Sequence, residues 1–153
     1  MVKPEPSRQA WIATLAKAPL DLLEQCVATL GALPNYQFLR SPEIGLTMVR
    51  GRAEGNGEPF NLGEMTLTRC VIQLASATGE PIAGFGYVAG RSQRHAELAA
   101  LCDALLQRAD WCDRLQAQVI LPLQAAYQAQ QVQQAQQAEA TRVNFFTLLR
   151  GES

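Results

Sequence analysis

Apolar positions recur with helical spacing at both ends of the chain and with the two-residue period of a strand between them. In residues 7 to 17, SRQAWIATLAK, Trp11, Ile12 and Leu15 share one side. Ser7 stands ahead of them as an N-cap, its hydroxyl suited to accept from the first free backbone N–H groups. A second helix is predicted from Pro19 to Leu30, with the proline in the first turn, Gly31 just past the end, and Leu22, Leu23, Cys26, Val27 and Leu30 in one stripe. The pair reads as a helical hairpin laid over something else.

That something else is a run of strands. YQFLR is a weak strand that SPEIG should end, GLTMVRGR is a stronger one, and AEGNGEP is a glycine-rich loop. FNLGEMTLTRCVIQLAS then alternates, with Met65, Leu67, Arg69 and Val71 on one face and Thr66, Thr68, Cys70 and Ile72 on the other. The turn ATGEP leads into IAGFGYVAG, the next strand. Turns this short impose antiparallel pairing, because a parallel neighbour requires a long crossover. The fold class is therefore α+β.

A helix is predicted from Ser92 to about Arg108, and a longer one follows, capped by Asp110, carrying Trp111, Leu115, Val119 and Leu123, and bent at Pro122. Its continuation QAAYQAQQVQQAQQAEA offers only Ala125, Ala129, Val132, Ala135 and Ala138 as a core stripe, too narrow to hold a helix by burial. The apolar Phe145, Phe146, Leu148 and Leu149 come next, which points to residues 125 to 153 as an arm and tail that dock on another chain or back on the domain. Docking on a partner is the expectation.

At 153 residues the chain is one domain long, so residues 1 to 153 are expected to form a single unit. Charged residues make up 18%, below the usual quarter or so, which hints at surfaces covered by partners. A net charge of −1 supplies no global field to attract nucleic acid or an anionic membrane. No stretch resembles a membrane span or a signal peptide, so a cytoplasmic location is expected. Cys26, Cys70, Cys102 and Cys112 are spread without a CxxC pair and read as small apolar core residues, favoured over a metal site or a disulfide. A bridge between Cys102 and Cys112 is the least implausible exception.

Chemistry concentrates in AGFGYVAGRSQRHAELAALCDALLQ. Gly84, Gly86 and Gly90 form GxGxxxG, one residue longer than the dinucleotide fingerprint, and no acidic residue follows on a strand to take a ribose. Strand bending or close backbone approach at Gly84 and Gly86, with a positive φ at Gly90, is the expected role. Arg91, Arg94 and His95 then crowd a helix start, where the dipole favours an anion over these cations, so a guest phosphate or a partner carboxylate is one reading. A solvated basic turn facing Glu97 or other acids is the competing one. His95 lies in register with Leu98, Ala99, Cys102 and Leu105, which fits a hydrogen-bonded core histidine better than a general base. Glu64 is the only nearby carboxylate to nominate as its partner. Arg69, set among apolar neighbours, calls for a paired acid or an anion.

NLGEMTLTRCVIQL, GFGYVAGRSQRHAELAALCDALLQ and the closing FFTLLRG closely resemble the PhnG family, the smallest core subunit of the bacterial carbon–phosphorus lyase system for phosphonate use. The resemblance runs over most of the chain and is most specific across residues 61 to 107, where two blocks combine. It implies participation in a transferase step. With companions PhnH and PhnI, and help from PhnL, such a subunit serves to exchange the adenine of ATP for an alkylphosphonate at the ribose C1′ carbon. The later cleavage of the C–P bond falls to PhnJ. The resemblance also implies a place beside PhnI at the centre of a symmetric assembly. It carries over no catalytic residue, since the nucleosidase-like chemistry resides mainly in PhnI, and no cofactor is expected because this chain lacks the cysteine triad of an iron–sulfur site. The QAQQVQQAQQ arm departs from the family pattern. A scaffold that only organises its partners is the rival reading, and a free-standing nucleotide enzyme fits poorly with a single histidine and no triad.

Overall fold

The structure is a computed structural model that describes residues 7 to 75 and 79 to 143. The tail segment with Phe145, Phe146, Leu148 and Leu149, on which tail docking was expected to rest, lies outside the described residues. Two short helices open the chain, α1 (Arg8–Lys17) and α2 (Leu20–Ala28). Three antiparallel strands follow in the order β1-β2-β3: β1 (Tyr36–Arg52), β2 (Pro59–Leu74) and β3 (Ile82–Ala89). Then come α3 (Gln93–Leu106), α4 (Ala109–Leu115) and α5 (Leu121–Ala140), the last two joined by a π-helical segment, Gln116–Ile120. The α+β class expected from the alternating periods is the fold observed.

Local chemistry sets most of the boundaries. Ser7 caps α1 by accepting from the Ala10 N–H at 3.3 Å. Pro19 sits at the start of α2, where its missing N–H costs nothing, and Thr29 closes the helix end. Two expectations are corrected. SPEIG does not end a strand: β1 runs through Pro42 for 17 residues, with register shifts between Phe38 and Arg40 and between Arg40 and Glu43. The reason is that β1 is an edge strand and Pro42 falls within the bulge between Arg40 and Glu43, where it has no paired residue on β2, so its missing N–H interrupts no regular ladder position. Asp110 does not cap α4 either; Arg108 holds the capping position and is itself bound by Asp110 at 3.0 and 2.6 Å.

α3 is the centre of the molecule. Its sequence is apolar nearly all round, and eleven of its fourteen residues are buried, as befits a helix enclosed on every side. The sheet covers one flank through Cys70, Ile72, Leu74 and Val88, while α1, α2 and α4 close the other. Pro122, which has no N–H to give the carbonyl one turn back, is accommodated where the helix widens into the π segment just before it. Beyond that point α5 buries only Leu123 in full, and the stripe from Ala125 to Ala138 is exposed throughout. Alanine and glutamine favour the helix there, and Gln131 Nε2 donates to the Tyr127 hydroxyl one turn back at 2.8 Å.

β3 pairs only with Leu67–Leu74 of β2, so the outer halves of β1 and β2 project as a two-stranded ribbon. Leu46, Met48, Phe60 and Leu62 on this ribbon are between 45% and 68% exposed. Two strands alone are marginal in water, and this ribbon carries exposed apolar side chains.

Candidate functional site

The glycines of β3 are there for α3. A Cβ on Gly84 would lie 2.0 Å from the Ala100 carbonyl oxygen, and one on Gly86 would lie 2.0 Å from that of Ala96. Ala96, Ala100 and Ala104 put one small residue per turn against the strand, so helix and strand backbones meet almost directly. Gly90 then reverses the chain at φ +98°, its N–H donating to Thr66 O at 2.9 Å and its carbonyl accepting from the Thr68 hydroxyl at 2.7 Å. Sheet and turn geometry accounts for all three glycines.

At the start of α3 the Ser92 hydroxyl accepts from the His95 N–H at 3.2 Å and Gln93 Nε2 donates to Pro42 O at 3.0 Å. The four basic residues nominated from the sequence part company here. His95 is buried and its Nε2 donates to Leu15 O at 2.7 Å, tying α3 to α1. Arg94 donates to Glu97 at 3.1 Å and to Glu24 at 3.3 Å. Arg69 lies on the opposite face of the sheet, bonded to Glu43, which also accepts from Arg40 at 2.5 Å. Those two guanidinium groups hold the Glu43 carboxyl below its ordinary range, Arg40 being the larger influence. Only Arg91 is exposed and without a bond or ion pair among the described residues. Glu64 stands exposed on the ribbon, and no hydrogen bond connects it to His95.

Glu97 joins a second element to this network by accepting from the Tyr36 hydroxyl at 2.5 Å. Burial first, and then the bond to Glu97, push the phenol from 10 up to about 12. The folded state therefore holds this proton more tightly than the unfolded chain. Its contribution to stability is complete below pH 10 and is lost as pH rises through about 12. In an ultraviolet titration of the folded protein, one tyrosine should ionise near pH 12, and Tyr36→Phe should abolish that step; a normal titration of all tyrosines would contradict the assignment.

The largest feature that periodicity did not reveal is Asp103, wholly buried in α3. Its carboxylate accepts from Arg8 at 3.1 and 2.7 Å, from Trp11 Nε1 at 2.8 Å and from the Phe85 backbone N–H at 3.0 Å, which fastens α1, α3 and β3 together. The available signal was one carboxylate within the apolar run LAALCDALL. Cys26, Cys70 and Cys102 are buried thiols, and Cys112, at a half-buried position, is not bridged to Cys102. Burial raises the Cys70 thiol to about 11 and the Cys102 thiol to about 12, so neither supplies a ready thiolate. Among the described residues no group of three metal-ligating side chains comes together, and no helix is long and apolar enough to cross a membrane.

Basic residues engaged by internal acids, together with apolar side chains left open on the sheet and ribbon, define the class: an α+β protein with its charges paired internally and apolar surface exposed. Comparison with known proteins gives the class its family. Residues 6 to 151 match the family described as "Phosphonate metabolism protein PhnG", and the chain belongs to it. It is 39% identical over 146 residues to the "Alpha-D-ribose 1-methylphosphonate 5-triphosphate synthase subunit PhnG" of Rhizobium meliloti (strain 1021), an alignment that spans 95% of this chain and 90% of that protein.

Proposed function

We propose that this chain is the G subunit of an α-D-ribose 1-methylphosphonate 5-triphosphate synthase, working in the cytoplasm with PhnI as its most direct companion, with PhnH and PhnJ, and with help from PhnL. The assembled enzyme transfers an alkylphosphonate to the ribose C1′ of ATP and releases adenine. The observation that carries this reading is the 39% identity to a protein bearing that name over nearly the full length of both chains. In this reading the chain does not act alone. Its single histidine is held by the Leu15 carbonyl and is not disposed toward a substrate.

Of the anion-binding group, Arg91 is the one ready to meet a phosphate, because its guanidinium is exposed and uncommitted among the described residues. Arg94 and Arg69 would first have to leave their carboxylates, and His95 its carbonyl. The test is adenine release from ATP and methylphosphonate by the co-expressed subunits. Omitting this chain should abolish release, the isolated chain should show none, and full activity without it would defeat the proposal. Arg91→Ala in the assembled enzyme should weaken apparent ATP affinity by about tenfold, the loss of one charge-assisted contact. Unchanged kinetics would remove Arg91 from the anion site.

A further inference from the structure

We infer that the open face of the sheet seats a protein partner of different sequence whose own surface presents a carboxylate within an apolar field. The inference rests on the subunit reading above and adds where, and by what chemistry, a companion is held.

Alternation along β2 and β3 sends Thr68, Cys70, Ile72, Gly86 and Val88 toward α3, leaving the other face without a covering helix among the described residues. Register places Leu67, Arg69 and Val71 beside Ala89, Tyr87 and Phe85, so the apolar side chains of that face are contiguous around Arg69. Tyr87 is 45% exposed, and Phe85 and Met65 are each 38% exposed. Isolated surface apolar residues need no explanation, but a continuous field across two strands does.

Charge selects the occupant. Arg69 and Arg40 share the single carboxylate of Glu43, which leaves one surplus positive charge and unused N–H donors on the face. In water those donors are hydrated. Covering the face removes that water, and an unpaired guanidinium in an apolar contact is costly unless the incoming surface brings an acceptor. A second copy of this chain does not meet the requirement. A two-fold contact through this face would set the surplus charge against its own image, and Glu43, the carboxylate beside Arg69, is already engaged. The complementary partner is an apolar surface carrying an aspartate or glutamate.

The test is affinity co-purification of the tagged full chain with co-expressed PhnH, PhnI and PhnJ. Tyr87→Glu would neutralise the surplus charge within the chain, and Met65→Lys would add a second one; both positions are exposed, so each isolated variant should keep its circular dichroism and melting temperature. The expected result is at least a tenfold drop in co-purified companions for both variants, while Gln25→Glu, on the exposed side of α2, assembles as the unaltered chain does. Arg40→Ala with Arg69→Ala should weaken assembly and flatten its salt dependence. Folded variants that assemble normally would overturn the inference and leave the subunit reading standing. An unaltered chain that captures no companion would overturn both. An isolated chain that dimerises, with Tyr87→Glu returning it to monomer, would show a second copy as the occupant and overturn the assignment.

Discussion

Asp103→Ala is expected to cost about 3 to 5 kcal/mol of folding stability, a large share of what a domain this size has to lose. The cost comes from the donors left behind. Arg8 can turn its guanidinium to water, since its side chain is 42% exposed, and that half of the ion pair is discounted for screening. Trp11 Nε1–H is buried and has no such exit, and a buried donor without an acceptor costs about 1 to 3 kcal/mol; the part-buried Phe85 N–H loses its acceptor as well. Asp103→Asn keeps an acceptor oxygen and should lose less, and Arg8→Ala should lose about 1 kcal/mol. Urea denaturation of the three variants checks the order. A loss from Arg8→Ala equal to that from Asp103→Ala would mean that the ion pair, and not the Trp11 and Phe85 N–H donors, carries the stability.

Gly86→Ala is the second large effect, expected to remove more than about 3 kcal/mol or to prevent folding. The added methyl would stand 2.0 Å from Ala96 O and 2.9 Å from Ala100 N, and both obstacles are helix backbone that no rotamer change can clear. α3 would have to lift from the sheet it is packed on, loosening Cys70, Ile72 and Val88 together. Gly45→Ala is the matched control: nothing lies within 4 Å of its new carbon, so the change should stay within about 0.5 kcal/mol. Thermal melts of the two side by side distinguish close packing from a general intolerance of alanine in these strands.

Much of the fold was legible because it is written in short-range pattern. Ser7, Pro19, Ser92 and Gly90 mark element ends by local hydrogen bonding and allowed dihedrals. The alternation of β2 divided Thr68, Cys70 and Ile72 from Arg69 and Val71 correctly, as did the register of His95 with the buried side of α3. Pro42 misled because a proline reads as a strand end unless the strand is known to lie at a sheet edge, and edge position is a property of the whole sheet. The basic cluster was legible as a local excess of charge. Its division among Glu24, Glu97, Glu43 and the Leu15 carbonyl depended on residues as many as 80 positions away.

By itself, then, the sequence determined most of the elements, the buried faces of α1 to α3 and of β2, the antiparallel pairing and the family, since these follow from spacing over a few residues or from blocks of identity. Only the tertiary structure decided which partner each polar group takes. It gave Asp103 to Arg8 and Trp11, set α3 into the groove over Gly84 and Gly86, and left Phe85 and Tyr87 facing outward beside an arginine pair with one acid between them. The physical reason is range. Hydrophobic period and capping act within a turn or a strand pair, whereas hydrogen bonds and ion pairs are fixed by contacts between segments that only folding brings together.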